Sequence, residues 1–217
     1  DSFEYHKFYH ETRRFCNVEL SAFYLDVIKD RLYAEARDSA ARRGAQTVVY
    51  ELAHTLTRLL TPIIPHTAEE VWQRLPVPDK PISVQLTEFP TVREAWLDKG
   101  LLERFERILQ LREVVNRALE AAKNEKRIPN PQSAKVVVHA PEPLYSILSA
   151  YPTPPAPENL LARLLGVSQM EVLQGVGEPQ VEVSVAPGRK CARCWLVLPD
   201  VDEATELCKR CQAVVGA

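Results

Sequence analysis

The apolar positions in the first third of the chain recur at helical spacing. Two long runs repeat every three or four residues, which is the period of one face of an α-helix. The first run comprises Val18, Ala22, Leu25, Ile28 and Leu32, and the second comprises Val49, Leu52, Leu56, Leu59 and Ile63. Ser39 precedes the second run and can cap that helix, because its hydroxyl can accept a hydrogen bond from a free backbone N–H. Residues 1–75 are therefore predicted to be helical.

Two prolines interrupt this pattern near its end. Pro62 and Pro65 each lack a backbone N–H and clash with the preceding helical turn. We expect a new helix to start at Thr67, since Glu70 lies three residues later and completes a capping box. Its apolar face comprises Val71, Trp72 and Leu75. Long helices with short connections predict a helical bundle over residues 1–90.

A long helix is predicted beyond the proline-rich connector at residues 76–90. Thr91 and Glu94 form a second candidate capping box at its start. The apolar face of this helix comprises Leu101, Phe105, Ile108, Leu109, Val115, Leu119 and Ala122. Pro129 and Pro131 prevent its continuation.

The pattern changes from helical to strand-like beyond this helix. Short β-branched or alternating runs predict strands at 135–140, 168–174 and 180–186. Helical runs lie at 142–150 and 158–165, separated by a proline-rich surface loop at 151–159. Gly166 can end the second run in a left-handed turn. Residues 91–187 are thus expected to form a small α+β subdomain, in a chain that is mainly α.

Composition limits the possible partners. The 217 residues carry a net charge of −2, so a nucleic-acid surface has to be a local patch. No run of about 18 apolar residues predicts a membrane-spanning helix, and the polar, aromatic N-terminus does not resemble a signal peptide. The chain begins without Met and already in helical pattern, which we interpret as part of a longer protein, expected to be monomeric.

Four of the five cysteines lie in two close pairs near the C-terminus. The pairs are Cys191 with Cys194 and Cys208 with Cys211. Two residues between thiols let both sulfurs reach one ion, and two such knuckles complete a closed, structural Zn²⁺ site. Zinc would then supply much of the folding free energy of the ribbon at residues 188–217. Disulfides or free thiols are the alternatives, but the spacing and the odd count favour zinc in a reducing cytoplasm.

Basic side chains surround the two knuckles. They are Arg189, Lys190, Arg193, Lys209 and Arg210, whereas acidic residues fill the loop between the knuckles. These cations could contact RNA or only screen the thiolates, because both roles use the same electrostatics. Trp195 follows the first knuckle and could stack on an unpaired base or pack inside the ribbon. Small zinc modules contain few apolar residues, so packing of the indole ring inside the ribbon is favoured.

Two further basic clusters are candidate RNA contacts. The first lies at the start of a predicted helix, and the second lies at the end of the long helix, where cations also complement the helix dipole. They comprise Arg37, Arg42 and Arg43, and Lys123, Lys126 and Arg127.

No residue of the chain is predicted to be catalytic. His6 and His10 are one turn apart but lack the His-Glu-x-x-His pattern of metalloproteases. Cys16 has apolar neighbours, which favours a buried small hydrophobe over a reactive thiol. Glycine-rich phosphate loops and nucleophile elbows are also absent from the sequence.

Two long segments resemble the anticodon-binding bundle of class I aminoacyl-tRNA synthetases. They are FCNVELSAFYLDVIKDRLY and DSAARRGAQTVVYELAHTLTRLLTPIIPHTAEEVW. The runs FYLDVIKDRLY and PIIPHTAEEVW are specific matches to the isoleucine, valine, leucine and methionine branch. The CxRCW…CxRC ribbon resembles the tail of the bacterial isoleucine enzymes, whereas the valine enzymes usually end in a coiled coil. The resemblance covers nearly the whole chain.

The resemblance implies a role in binding isoleucine tRNA. Residues 1–90 would cradle the anticodon stem, and the tail and ribbon would reach the anticodon loop. The remainder of a synthetase would be the second partner and would hold ATP and the catalytic groups, since the His-Ile-Gly-His and Lys-Met-Ser-Lys-Ser signatures are absent here. The turn IPNPQSA departs from the family pattern of glycine and Leu-Glu-Ala, so the resemblance does not carry a backbone contact over to this turn. The alternative is a zinc-ribbon protein-interaction module that does not bind RNA.

Overall fold

The computed structural model describes residues 4–151 and 159–216. The chain divides into two compact units, of which the larger comprises Asp1–Ala34 with Lys99–Ala217 and the smaller comprises Glu35–Asp98. This grouping differs from the segments 1–90, 91–187 and 188–217, because the N-terminal helices belong with the sheet and the ribbon. Within the described residues, no helix is long and apolar enough to cross a membrane.

Two helices form the smaller unit. α4 (Ala40–Leu60) begins after Ser39, whose hydroxyl accepts a hydrogen bond from the Arg42 N–H at 3.2 Å, as predicted. α5 (Pro65–Arg74) follows a short turn and packs on α4. The core of this unit comprises Ala68, Trp72 and Val84.

The capping box predicted at Thr67 and Glu70 is wrong. α5 begins two residues earlier, at Pro65, and no side chain caps it. Proline suits the first turn of a helix because its φ is already helical and the N–H that it lacks would be unpaired there. Glu70 pairs instead with Arg74 on the exposed side of the helix, at 2.7 Å.

The capping box predicted at Thr91 and Glu94 is also wrong. Glu94–Trp96 form only a short 3₁₀ turn without a side-chain cap. Leu97 then leaves the helical conformation, with φ −88° and ψ 94°. The long helix therefore starts later, as α6 (Lys99–Asn124).

The N-terminal part of the larger unit is helical, as predicted. It consists of α1 (Tyr5–Arg14), a π-helical segment (Phe15–Tyr24), α2 (Leu25–Val27) and α3 (Lys29–Tyr33). Ile28, between α2 and α3, is 1% exposed and anchors this stretch.

The long helix α6 packs its buried face against the sheet. That face comprises Ile108, Leu111, Val115, Leu119 and Ala122. The prediction of this face was wrong at Leu101 and Leu109, which are 40% and 38% exposed. Leu109 directly follows Ile108, so it points about 100° away from the buried line of residues.

A three-stranded sheet forms the centre of the larger unit. β1 (Ala134–Ala140) lies between β2 (Gln169–Gln174), which runs parallel to it, and β3 (Gln180–Val185), which runs antiparallel. These strands confirm the strand predictions, and every second residue of β1 is buried.

Two short helices connect β1 to β2. They are α7 (Leu144–Ser149) and α8 (Leu160–Leu165). Gly166 ends α8 with a φ of +70°, as predicted. The loop predicted at 151–159 lies, apart from its two ends, outside the described residues.

The ribbon completes the larger unit. It contains a hairpin of β4 (Arg189–Lys190) and β5 (Val197–Leu198), followed by α9 (Lys209–Val215). The fold class predicted from sequence, mainly α with a small α+β part and a four-cysteine ribbon, is confirmed.

Candidate metal centre and nucleic-acid interface

The four paired cysteines converge in the ribbon. Their Sγ atoms all lie within 4.8 Å of one another. Cys191, Cys208 and Cys211 are fully buried, and Cys194 is 9% exposed. The first pair brackets the turn after β4, and the second pair lies at the start of α9. Local turn geometry and one short helix therefore bring all four sulfurs together.

The cluster has the dimensions and chemistry of a four-thiolate zinc site. Zn–S bonds of about 2.3 Å place tetrahedral sulfurs about 3.8 Å apart, and the Sγ atoms of Cys194 and Cys208 are 3.9 Å apart. Four protein ligands leave no position for water, so such a site stabilises the fold and does not activate a nucleophile.

Burial and backbone amides act in opposite directions on these thiols. Burial raises the pKa of Cys208 to about 11, with a further contribution from Cys211, and burial also raises the pKa of Cys194. Burial acts on Cys191 too, but N–H groups of Cys194, Cys208 and Arg193 donate to its sulfur and lower its pKa to about 6. A bound dication offsets the cost of the buried thiolates, because it supplies the missing positive charge.

The remaining thiol and the two N-terminal histidines lie elsewhere. Cys16 is half-buried in the π-helical segment, and His6 and His10 are exposed on α1. Across residues 4–151 and 159–216, the cysteine cluster is the only group of three or more potential metal ligands.

The arginine before the second cysteine of each knuckle contacts the end of the N-terminal helical stretch. Arg193 donates from Nη2 to the Tyr33 carbonyl at 3.3 Å and from Nη1 to the Ala34 carbonyl. Arg210 donates twice to the carboxylate of Asp30, at 2.7 Å each. The Arg210 side chain is only 14% exposed. Both of these candidate RNA contacts therefore lie at a junction inside the larger unit.

Asp30 is the acidic centre of this junction. Arg163 of α8 reaches the same carboxylate at 3.2 Å, and the Asp30 side chain is 20% exposed. Burial by itself raises the pKa of Asp30, but the hydrogen bond from Arg210 and the charges of Arg163 and Arg193 outweigh burial and lower the pKa. Sequence analysis missed Asp30, because nothing local distinguishes it from Asp26. The repeated arginine in CARC and CKRC was the available signal.

A second set of contacts joins the ribbon to the sheet. The Val197 N–H donates to the Ser168 hydroxyl at 2.7 Å. The side-chain amide of Gln169 donates to the carbonyls of Val197 at 3.1 Å and Pro187 at 2.8 Å. Gln132, just before β1, also donates to the Cys194 carbonyl, at 3.5 Å. The ribbon is therefore attached both to the end of the N-terminal helical stretch and to the sheet.

Trp195 is 60% exposed beside the first knuckle. The interpretation that favoured packing inside the ribbon is therefore wrong. Leu196, Leu198 and Val201 fill the ribbon core instead. Lys190 Nζ lies 5.8 Å from the centroid of the indole ring. An exposed aromatic face beside a cation is the combination with which many proteins hold single-stranded nucleic acid.

The basic cluster at the end of α6 is exposed. Lys123, Lys126 and Arg127 all face solvent. Arg127 also donates to the Val183 carbonyl at 3.0 Å and pairs with Glu125 at 2.7 Å. Lys126 has a φ of +60°, where the chain turns away from the helix.

The three arginines of the basic cluster in the smaller unit differ in exposure. Arg37 and Arg43 are exposed, whereas Arg42 is half-buried and donates to the Glu35 carbonyl at 3.3 Å. Arg42 therefore supports the entry to α4, and the other two remain accessible to a ligand.

Two protein families match the chain. Residues 1–138 match the family described as the anticodon-binding domain of tRNA ligase. Residues 188–214 match the family described as a zinc finger found in FPG and IleRS. That match and the four-cysteine cluster together indicate a structural zinc ion.

Full-length relatives extend the comparison. The chain is 44% identical to the isoleucine–tRNA ligase of Moorella thermoacetica, over 99% of the chain and 24% of the relative. It is 42% identical to that of Carboxydothermus hydrogenoformans, over 98% of the chain and 24% of the relative. It is 41% identical to the isoleucine–tRNA ligase of Staphylococcus aureus strain Newman, over 99% of the chain and 24% of the relative. The chain thus spans 24% of the length of these relatives.

Proposed function

The chain belongs to the family of anticodon-binding domains of tRNA ligases, and we propose that it binds the anticodon stem-loop of an isoleucine tRNA as part of an isoleucine–tRNA ligase. The observation that carries the proposal is the pairing of this domain and the zinc finger in one chain, which aligns along 99% of its length with such ligases. Its partners would be tRNA(Ile) and the rest of the ligase. The ligase would be a monomer in the cytoplasm.

The four clustered cysteines are the proposed zinc ligands. Cys191, Cys194, Cys208 and Cys211 are buried or nearly so, and their sulfurs are close enough to share one ion. Zinc would supply folding free energy to a module with a small apolar core, at about 10–16 kcal/mol for comparable sites. Its role is structural, since no ligand position is left for substrate.

The proposed RNA surface combines an aromatic platform with local cations. In the ribbon, Trp195 would stack on an unpaired anticodon-loop base while Lys190 neutralises a nearby phosphate. Other phosphate contacts would come from exposed cations elsewhere, namely Lys123, Lys126 and Arg127 in the larger unit and Arg37 and Arg43 in the smaller unit. Local contacts are needed because the net charge is −2.

Binding at the anticodon would contribute to aminoacylation by positioning the tRNA. Free energy gained at the anticodon end holds the acceptor end in place for a reaction that occurs far away. ATP binding and the chemical steps would belong to the remainder of the ligase. The residues of this chain bind and orient the RNA.

Titration of the chain with isoleucine tRNA tests the proposal. We expect measurable binding whose salt dependence corresponds to roughly three to five phosphates. The Trp195→Ala variant should keep its zinc and lose affinity by about 1–3 kcal/mol, the value of one stacked base. Truncation before Gly188 should lose at least as much.

The Leu109→Ala variant is the control, because its side chain is exposed and does not belong to the proposed RNA surface. Its affinity should equal that of the parent. If the parent chain shows no preference for isoleucine tRNA over an unrelated tRNA, the proposed function is wrong and a protein-interaction module becomes the better explanation. Unchanged binding by both Trp195→Ala and the truncated chain would remove the ribbon from the RNA surface.

A further inference from the structure

The two zinc knuckles carry an arginine at the same position. Arg193 precedes Cys194 in the first knuckle, and Arg210 precedes Cys211 in the second. Both side chains point from the metal cluster to α3 and the residue after it. Arg210 contacts Asp30, and Arg193 contacts Tyr33 and Ala34. The last carbonyls of a helix have no partner within it, so a guanidinium is a suitable cap.

The metal cluster and the junction also touch directly. Arg193 Nη1, which donates to the Ala34 carbonyl, lies 3.6 Å from Cys211 Sγ of the opposite knuckle. Ala34 in turn packs into the ribbon core with the four cysteines. The distance between the Arg193 and Arg210 side chains therefore depends on how the two knuckles are held together.

We infer that Asp30 is a positioning residue that docks the ribbon on the N-terminal helices through Arg210, and that zinc controls this docking because each knuckle supplies one of the arginines. The Arg210 and Asp30 side chains are 14% and 20% exposed and joined by two hydrogen bonds. A bidentate arginine–carboxylate pair fixes orientation as well as distance.

Docking has a consequence for Trp195, which follows Cys194 directly. The second knuckle shares the four-sulfur cluster with the first, so docking the second knuckle at Asp30 also limits the directions in which the exposed indole ring can point. This step rests on the proposed function, because it matters only if the ring meets RNA. The sheet-side contacts of Ser168 and Gln169 and the bonds from Arg193 to Tyr33 and Ala34 remain when Asp30 is lost, so the ribbon would stay attached while its second knuckle loses its fixed orientation.

The experiment uses Asp30→Ala, Arg210→Ala and the double variant in the full chain, with three readouts: zinc per chain, amide hydrogen exchange and isoleucine-tRNA affinity. For Asp30→Ala we expect one zinc, faster exchange at residues 29–34, and affinity lowered about tenfold or more. The double variant should lose less than the sum of the two single variants, because Asp30 and Arg210 act through each other. Asp30→Ala also removes the Arg163 contact, which Arg210→Ala leaves intact. Asp30→Asn, which keeps an acceptor, should be intermediate.

Asp26→Ala is the matched control on the same helical stretch. Its carboxylate is exposed and pairs with Lys29 at 2.8 Å, so all three readouts should match the parent. Removing zinc from the parent with a chelator should speed exchange at 29–34. The further effect should be smaller in Asp30→Ala, where only the Arg193 bonds and the packing of Ala34 remain to be lost.

Three outcomes would overturn the inference. They are unchanged exchange and affinity in Asp30→Ala, loss of zinc from that variant, or no effect of the chelator on residues 29–34 of the parent. If the parent does not bind tRNA, the proposed function fails, but the exchange and chelator measurements still decide whether Asp30 and zinc dock the ribbon.

Discussion

Trp195 has a backbone conformation that its side chain disfavours. Its φ is +67°, a region that costs a non-glycine residue about 1–2 kcal/mol. Glycine would make the same turn without that cost, yet the position holds a large and 60% exposed ring. Backbone strain of this kind is concentrated at functional sites, which agrees with the proposed role of the indole ring in RNA binding.

Replacing Trp195 by glycine or alanine separates strain from function. Both variants should lose RNA affinity equally, because both lack the ring. Trp195→Gly should nevertheless be more stable than Trp195→Ala by about 1 kcal/mol, since only glycine adopts the turn without strain. Thermal unfolding and tRNA titration of the two zinc-loaded proteins measure these quantities. Equal stability would show that the positive φ carries no cost here.

Gly188 is required where the chain enters the ribbon. Its φ is +116°, and a Cβ there would lie 2.3 Å from the Leu198 carbonyl oxygen. Gly188→Ala should therefore separate β4 from β5 and weaken zinc binding, measured by competition with a chromophoric chelator. Gly177→Ala is the control, because that glycine also has a positive φ but has no neighbour within 4 Å. It should cost stability without changing zinc affinity, and a similar zinc loss in both would contradict the steric explanation.

At the scale of elements, α6 shows how a helix selects its buried face. Sequence periodicity predicted the helix and most of that face, including Ile108, Val115 and Leu119. The sequence pattern did not distinguish a buried Leu111 from an exposed Leu109, because both are leucines within one helical turn. Contact with β3 and α8 decides the choice, leaving Leu111 at 2% and Leu109 at 38% exposure.

Truncation of two leucines on α6 tests this assignment. Leu119→Ala should lower the free energy of unfolding by about 2–5 kcal/mol, because it opens a cavity in a buried site. Leu109→Ala should change it by less than about 1 kcal/mol, as is usual for exposed positions. Denaturant unfolding of the two variants gives both values. A larger loss for Leu109→Ala would place that side chain in the core.

At the scale of the whole molecule, the ribbon and the sheet have separate cores. The sheet core comprises residues from α6, α7, α8 and the strands, whereas the ribbon core comprises Ala34, the four cysteines, Leu196, Leu198 and Val201. The smaller unit has a third cluster around Trp72. Stability is therefore expected to be local rather than uniform.

Zinc removal should unfold the ribbon selectively. With a strong chelator at neutral pH, amide protection should be lost over residues 188–216 and retained in β1 and α6. The physical reason is that the four buried thiols lose the cation that offsets their burial, whereas the sheet core contains no metal ligand. Hydrogen exchange with and without chelator measures the difference. Loss of protection in β1 would show that the two cores fold as one.

The sequence by itself determined the features that depend on neighbours along the chain. The helices of the first 60 residues, the cap at Ser39, the three strands, the left-handed turn at Gly166 and the two cysteine knuckles all follow from local spacing. Each depends on backbone geometry and on side chains within a few residues, so a pattern in the sequence suffices to predict it.

The tertiary structure decided which of these features meet. Asp30 and Arg210 are 180 positions apart, and no local pattern links the carboxylate to the guanidinium. The exposure of Trp195 likewise depends on Leu196, Leu198 and Val201 filling the ribbon core first. Contacts between distant segments arise from the packing of whole elements, because the free energy of burial depends on what covers a side chain. Arg193 and Arg210, both candidates for RNA contact, thus lie at the junction between ribbon and helix. Trp195, for which the sequence favoured packing but left base stacking open, is exposed.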